Sequence, residues 1–324
     1  MPTISVEQNL IAKLLAQHKL DHDVEQIADE LPLLGTDIDR CDAQTLDIEI
    51  FPNRPDLLSG ETLTRAIRNF VHRQPAKPSI TTTEGKITLN VEPDLAEIRP
   101  VILGAVVRNV DYTSIGVSAD EFIKSLMDHQ EKLHFALGRG RKRASIGVHD
   151  LAKLAPPFTV KAVSGDTKFT PLAATEPMSI KEIMAEHPKG IEYAHLLSEF
   201  DRYPIILDAE NNVLSFPPII NGDHTTVTKE TKDFFIDVTG WDIRACESSL
   251  MLIALQLQEY GGIIETVEVT NCFGETNVYP NGSAVEHKLT IAAIQGLLGG
   301  KLTEEAISGA CLLYTSPSPR DEQS

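Results

Sequence analysis

Two short polar segments set in apolar surroundings carry the chemistry this sequence can offer. The first is Ser215-Phe216-Pro217-Pro218-Ile219-Ile220-Asn221. Two successive prolines fix φ and supply no N–H, so the segment is expected to run extended, at a sheet edge or as polyproline II. That would hold Ser215 and Asn221 at its ends as a stiff polar lip. In the second segment, a strand puts Phe234, Ile236 and Val238 on one face and Asp237 and Thr239 on the other, so a carboxylate and a hydroxyl project together and suit reading a ligand. Plainer readings stand beside these. Ser215 and the prolines can simply end an edge strand, and Thr239-Gly240-Trp241-Asp242 approximates a helix capping box with Asp in place of the usual Glu.

The elements that must position these residues follow from periodicity. Residues 1–75 read as a small α/β unit, with helices marked by Leu10, Ile11, Leu14, Leu15 and by Val24, Ile27, Ala28, Leu31, a strand on Leu46, Ile48, Ile50, and a further helix from Leu57. Arg54 and Asp56, on either side of Pro55, read as a structural turn pair without chemistry. Residues 76–86 are expected to be a linker. From 87 to 280 strands interleave with helices, so the fold class is α+β and multidomain. Strands are expected at Val101–Val110, Ala144–Val148, Phe158–Val163, Ile205–Leu207 and Val213–Ser215, the last two flanking a hairpin turn. Helices are expected over Phe122–Leu137, Ile180–Glu186 and Asp242–Tyr260, the last stopped by Gly261-Gly262, after which Ile263–Val269 closes the sheet. Residues 284–308 begin another module, with a strand over Glu286–Ile291 and a helix over Ala292–Leu298. Residues 311–324 have the look of a translated sequencing-adapter scar, which would leave an N-terminal piece of a longer chain.

Composition bounds the function classes. The chain has 324 residues, 42% of them hydrophobic and 23% charged, enough for two or three domains with their own cores. It has no apolar run of membrane-spanning length, no secretory start and no Arg-rich transit segment, so the expected compartment is the cytoplasm. Four scattered cysteines without a C-x-x-C pair argue against a zinc site or a disulfide framework. No phosphate-cradling glycine motif, dinucleotide fingerprint or H-E-x-x-H occurs. A net charge of −18 opposes nucleic-acid binding overall, yet Arg139, Arg141, Lys142 and Arg143 form a compact basic run that either steers a phosphate backbone or is a solvated loop.

The two opening segments resemble the β subunit of phenylalanyl-tRNA synthetase of the archaeal/eukaryotic type. So do Asn53-Arg54-Pro55-Asp56-Leu57-Leu58-Ser59 and Leu133-His134 running through Gly138-Arg139-Gly140-Arg141 to Ala144–Leu151, in the right order, and the likeness extends from the first residue to about 308. The resemblance implies that residues 87–280 form the editing domain, which hydrolyses tyrosine wrongly esterified to phenylalanine tRNA. A pocket shaped for phenylalanine rejects one added hydroxyl by only about 10²-fold, where translation wants about 10⁴ to 10⁵, so a second site must discriminate. It implies roles too: Asp237 reads the phenol O–H with Thr239 beside it and Ser215 across, and Asn221 positions the ester carbonyl or terminal adenosine. Arg139 and Arg141, with Lys142 and Arg143, hold tRNA phosphates, and His134 is a candidate base or tRNA contact near the pocket. No covalent nucleophile is expected, because an aminoacyl ester is already activated. His149, His195 and His224 read as ordinary surface or core histidines. The implied partners are tRNA(Phe) and an α subunit in an (αβ)2 assembly. ATP and Mg2+ belong to that holoenzyme, and this part binds no cofactor or metal of its own. The competing reading is a noncatalytic scaffold that binds tRNA or the α subunit.

Overall fold

The computed structural model describes residues 2–75, 79–284, 288, 290–299 and 301–313. The chain forms two compact units, Met1–Thr81 with Gly282–Ser324, and Thr82–Asn281.

The first unit contains β1 (Thr3–Glu7), α1 (Gln8–Ala16), α2 (Val24–Glu30), β2 (Thr36–Cys41), β3 (Thr45–Ile50) and α3 (Gly60–Phe70). Its antiparallel sheet has the order β1-β3-β2. In β3, Leu46, Ile48 and Ile50 turn inward at every second position and are buried, as are Ile11, Leu14 and Leu15 of α1 and Leu63 and Ile67 of α3. Strands β1 and β2 have too few apolar residues to be read from periodicity, and β3 recruits them through backbone pairing. Arg54 and Asp56 form a buried ion pair, with Nε donating to Oδ1 at 2.9 Å and Nη2 to Oδ2 at 2.6 Å.

The second unit begins at the expected linker. Residues 76–78 lie outside the described residues, but 83–86 are already strand. Its elements are β4 (Thr83–Val91), β5 (Val101–Arg108), α4 (Ala119–Ala136), β6 (Ala144–Asp150), β7 (Phe158–Ser164), β8 (Lys168–Phe169), β9 (Met178–Ser179), α5 (Ile180–Glu186) and α6 (Pro188–Tyr193). They continue with β10 (Arg202–Leu207), β11 (Val213–Phe216), β12 (Ile220–Asn221), β13 (Phe234–Gly240), α7 (Ile243–Gln258), β14 (Ile263–Thr270) and β15 (Thr276–Tyr279). The fold is thus α+β. The large sheet runs β12-β11-β10-β7-β4-β14-β5-β13-β6, with β15 also on β14. Strand β14, expected to close the sheet, lies inside it: it pairs parallel to β4 and antiparallel to β5.

Helices α4 and α7 cover one face of the β5-β13-β6 end. Phe122 of α4 stands edge-on to Phe234 of β13 and to Tyr260, with centroids 6.0 and 5.2 Å away. Helix α4 starts on a capping box formed by Ser118 and Glu121. Helix α7 starts on Asp242, whose side chain accepts from the Ala245 N–H, so Thr239 is not its cap and stays in the strand.

The prolines do not run extended. Residues 217–219 reverse the chain between β11 and β12, and the Ile219 N–H closes the turn onto the Phe216 carbonyl at 2.8 Å. Both prolines sit where the turn asks for no N–H of theirs. Twist then brings the two ends of the sheet together: His149 of β6 bonds Thr225, just past β12, and Arg141, just before β6, donates to the carbonyls of Pro218 and Ile219.

Downstream, α8 (Ile291–Leu298) matches the expected helix, and α9 (Glu304–Leu313) follows. The expected strand over Glu286–Ile291 falls mostly outside the described residues, and Ile291 opens α8. Of the 311–324 stretch, 314–324 also lie outside them. Among the described residues no helix is long and apolar enough to cross a membrane.

Candidate functional site

Strand β13 is buried at every position, and its two faces differ in chemistry. Phe234, Ile236 and Val238 belong to the helix-covered face, and Phe235, Asp237 and Thr239 to the other. Asp237 pairs with Gly104 of β5 and Gly147 of β6. A Cβ on Gly147 would stand 2.1 Å from Asp237 Oδ2 and 2.8 Å from His149 Nε2, so only glycine lets these two side chains meet. They meet at 2.7 Å, and His149 Nδ1 in turn lies 2.8 Å from Thr225 Oγ1.

The Thr225 hydroxyl also contacts the Gly222 carbonyl at 3.0 Å. A carbonyl has no proton to give, so that contact uses the Thr225 hydrogen and leaves its oxygen to accept from His149 Nδ1–H. A single proton then lies between His149 Nε2 and Asp237 Oδ2. Asp237 Oδ1 has no hydrogen bond to a described residue and remains an open acceptor. Half of the Asp237 carboxylate, expected from the sequence to project with Thr239 toward a ligand, is thus committed inside the protein.

Thr239 is committed as well. Arg99 Nε donates to its Oγ1 at 2.6 Å, and Ser145 Oγ lies 3.0 Å from the same oxygen. Arg99 is buried without a carboxylate among its hydrogen-bond partners, and burial brings its guanidinium down to about 10. Cys246, beneath the same strand end, is a buried thiol pushed up to about 12 by burial, so it is inert rather than nucleophilic.

Ser215 and Asn221 face each other across the β11-β12 pair. The pairing register also ties them to Asp237. Asp237 sits opposite Gly104, which lines up with Val267 of β14. Val267 and Val269 line up with Ile87 and Leu89 of β4, and from there through Val91 and Val160 to Ile206, Ser215 and Asn221. All therefore occupy one face of the coiled sheet, opposite α4 and α7. Ser215 is buried, and its Oγ has no hydrogen-bond partner among the described residues. A buried hydroxyl without a partner is costly, so its position calls for one that the protein itself does not supply.

Residues 102–256 match the family model of the B3/4 domain. Over 307 residues, 95% of this chain, it is 44% identical to the phenylalanine–tRNA ligase beta subunit of Methanosarcina acetivorans, of which it covers 54%. The same-named protein of Archaeoglobus fulgidus is 39% identical with equal coverage. The chain belongs to the phenylalanine–tRNA ligase beta subunit family. It spans about half the length of these relatives. The fold agrees: an N-terminal fragment of the phenylalanyl-tRNA synthetase beta subunit from Pyrococcus horikoshii superposes with a TM-score of 0.87 at 29% identity, covering 96% of this chain and 89% of that one.

Two expectations drawn from resemblance to that family need correction on geometry. His134, expected as a base or tRNA contact, is buried and serves the edge of the sheet: its Nε2 accepts from the Ile146 N–H at 2.8 Å, and Gln130 Nε2 donates to the Ile146 carbonyl at 2.7 Å. Two side chains one turn apart on α4 thus replace the strand that β6 lacks on that side. Burial lowers the His134 pKa, and Nδ1 faces Glu131 Oε1 at 3.5 Å. Arg141, expected on phosphates, is buried too. It donates to the Pro218 and Ile219 carbonyls and to Glu131 Oε1 at 2.7 Å, and stacks over Tyr193 at 4.3 Å. His134 and Arg141 together hold the Glu131 carboxyl down to about 2. Arg143 is paired with Asp242, which leaves Arg139 and Lys142 as the exposed cations of the run.

Arg99, Ser145, His149 and Thr225 were missed as site residues. Ser145, Gly147 and His149 do carry a signal, a polar or vacant position at every second residue of an otherwise apolar strand. Arg99 and Thr225 carry none.

Proposed function

We propose that the Thr82–Asn281 unit hydrolyses the ester of tyrosine mis-attached to phenylalanine tRNA, the editing reaction of a phenylalanine–tRNA ligase. The observation that carries this reading is the unfilled hydrogen-bonding capacity on one buried face: Ser215 Oγ without a partner and Asp237 with one oxygen open. A phenol entering there donates to Asp237 Oδ1 and bonds Ser215. Phenylalanine would leave both unpaired, and that loss is what makes rejection of the cognate ester strong.

Water is the attacking group. The Thr225 hydroxyl, the one hydroxyl bonded to a histidine at this site, is buried and has given its hydrogen to Gly222, so it is not a poised nucleophile. In this reading Asn221, half-buried opposite Ser215, orients the ester carbonyl or the terminal adenosine. Arg139 and Lys142 neutralise phosphates, while His134 and Arg141 brace the rim. Ligation itself, with ATP as substrate and Mg2+, belongs in this reading to an α subunit in a cytoplasmic (αβ)2 assembly. Among the described residues no group of three or more His, Cys, Asp or Glu side chains is placed to hold a metal ion.

A scaffold that binds tRNA without reacting is the second reading, favoured by the internal bonds already made by Asp237 and Thr239. Incubating the chain with tyrosyl-tRNA(Phe) and following free tyrosine separates the two. Editing shortens the ester lifetime in proportion to protein concentration and spares phenylalanyl-tRNA(Phe). An unchanged lifetime at saturating protein leaves the scaffold.

A further inference from the structure

Arg99 precedes β5 and is buried along its length. Its Nε donates to Thr239 Oγ1 at 2.6 Å and its Nη2 to Ser145 Oγ at 3.0 Å, while Nη2 also reaches the carbonyls of Thr239 at 2.7 Å and Arg141 at 3.0 Å. The two hydroxyl oxygens are themselves 3.0 Å apart. A guanidinium can only donate, so it occupies a lone pair on each hydroxyl. One hydroxyl hydrogen is spent on the bond between the two oxygens. The other, on Thr239 or on Ser145, has no acceptor among the described residues; the pair lies two residues along from Asp237 and Gly147, on the same face.

We propose that Arg99 is a positioning residue that sets the polarity of this site: it takes two of the three lone pairs that the bonded Thr239–Ser145 pair would otherwise offer, biasing the pair toward donating, so the ligand oxygen that gives its hydrogen to Asp237 receives one from this pair. The inference rests on the tyrosyl-ester reading and sharpens it from "a polar para group" to "a para group that both donates and accepts". A phenol fits. An aromatic amine has hydrogens for Asp237, but its lone pair is drawn into the ring and accepts poorly.

The test uses non-hydrolysable 3′-amino-3′-deoxyadenosine amides of tyrosine, 4-aminophenylalanine and phenylalanine, titrated into the full chain by calorimetry, with tyrosyl-tRNA(Phe) hydrolysis measured in parallel. The parent is expected to bind the tyrosyl amide about tenfold more tightly than the 4-aminophenylalanyl amide. Arg99→Met brings that ratio toward one while preserving the preference for 4-aminophenylalanyl over phenylalanyl amide, which reports on Asp237. A merely structural arginine would move all three affinities together. Should Arg99→Met fail to fold, Arg99→Lys keeps the charge but reaches only one hydroxyl. A ratio below the parental one then supports the proposal, and an unchanged ratio overturns it. Equal binding of the tyrosyl and 4-aminophenylalanyl amides by the parent, or no binding of any amide, also overturns it. Selective binding without ester hydrolysis overturns the editing reading and leaves the role of Arg99 standing.

Discussion

Arg54 in the first unit and Arg99 in the second are both buried, and the two are held in opposite ways, whereas Arg141, also buried in the second unit, reaches the Glu131 carboxylate. In the first unit Arg54 grips both oxygens of Asp56 and reaches the Leu34 carbonyl, so charge meets charge. In the second, Arg99 bonds only neutral oxygens, and on the same face of the sheet the Thr239–Ser145 pair, Asp237 and Ser215 keep capacity that no described residue uses. A buried polar cluster that satisfies itself is a lock. One that falls short by a few well-placed groups is costly to keep, and a ligand explains the cost.

The sharpest way to break this contrast is to open the lock. Arg54→Ala removes the buried cation that grips both oxygens of Asp56, and is expected to cost about 3–5 kcal/mol in denaturant unfolding while leaving the tyrosyl-to-phenylalanyl hydrolysis ratio unchanged. A loss below about 1 kcal/mol would remove the distinction between the two arginines. Asp237→Ala should do the reverse, lowering that hydrolysis ratio by about tenfold to a hundredfold. Because both esters meet the same protein, the ratio is insensitive to how much of it is folded; a parental ratio would take Asp237 out of recognition. The smallest effect is expected at the basic run. Replacing Arg139 and Lys142 with alanine should flatten the dependence of tRNA affinity on salt by about one unit of slope per lost phosphate contact. Arg143→Ala should change it less, since Asp242 already neutralises that side chain. Equal slopes for all three would return the run to a solvated loop.

Part of this was legible in the sequence. Alternation along β13 put Asp237 and Thr239 on the face away from Phe234, and the packing of Phe234 on Phe122 agrees. Helix α7 and its stop at Gly261, which has a positive φ, followed from the apolar period and the glycine pair. What periodicity could not supply was partners. Arg99 meets Thr239 across 140 residues, and His149 meets Asp237 across 88. Local pattern therefore showed which way a side chain faces but not what already occupies it. The same limit explains Arg141: charge suggested solvent, whereas the carbonyls at the β11-β12 turn and the Glu131 carboxylate drew it inside. For β14 an alternating strand was visible, but its place between β4 and β5 depends on pairing with distant segments.

Ser215 tests the central claim most directly, because its buried hydroxyl lies on the face of Asp237 and has no hydrogen-bond partner among the described residues. Unfolding free energy and tyrosyl-tRNA(Phe) hydrolysis should be measured side by side for the parent and Ser215→Ala. Removing an unpartnered buried hydroxyl is expected to leave stability equal or raise it by up to about 1 kcal/mol, while hydrolysis of the tyrosyl ester slows by about tenfold. A less stable variant that hydrolyses the ester at the parental rate would mean that Ser215 belongs to the fold and not to a ligand.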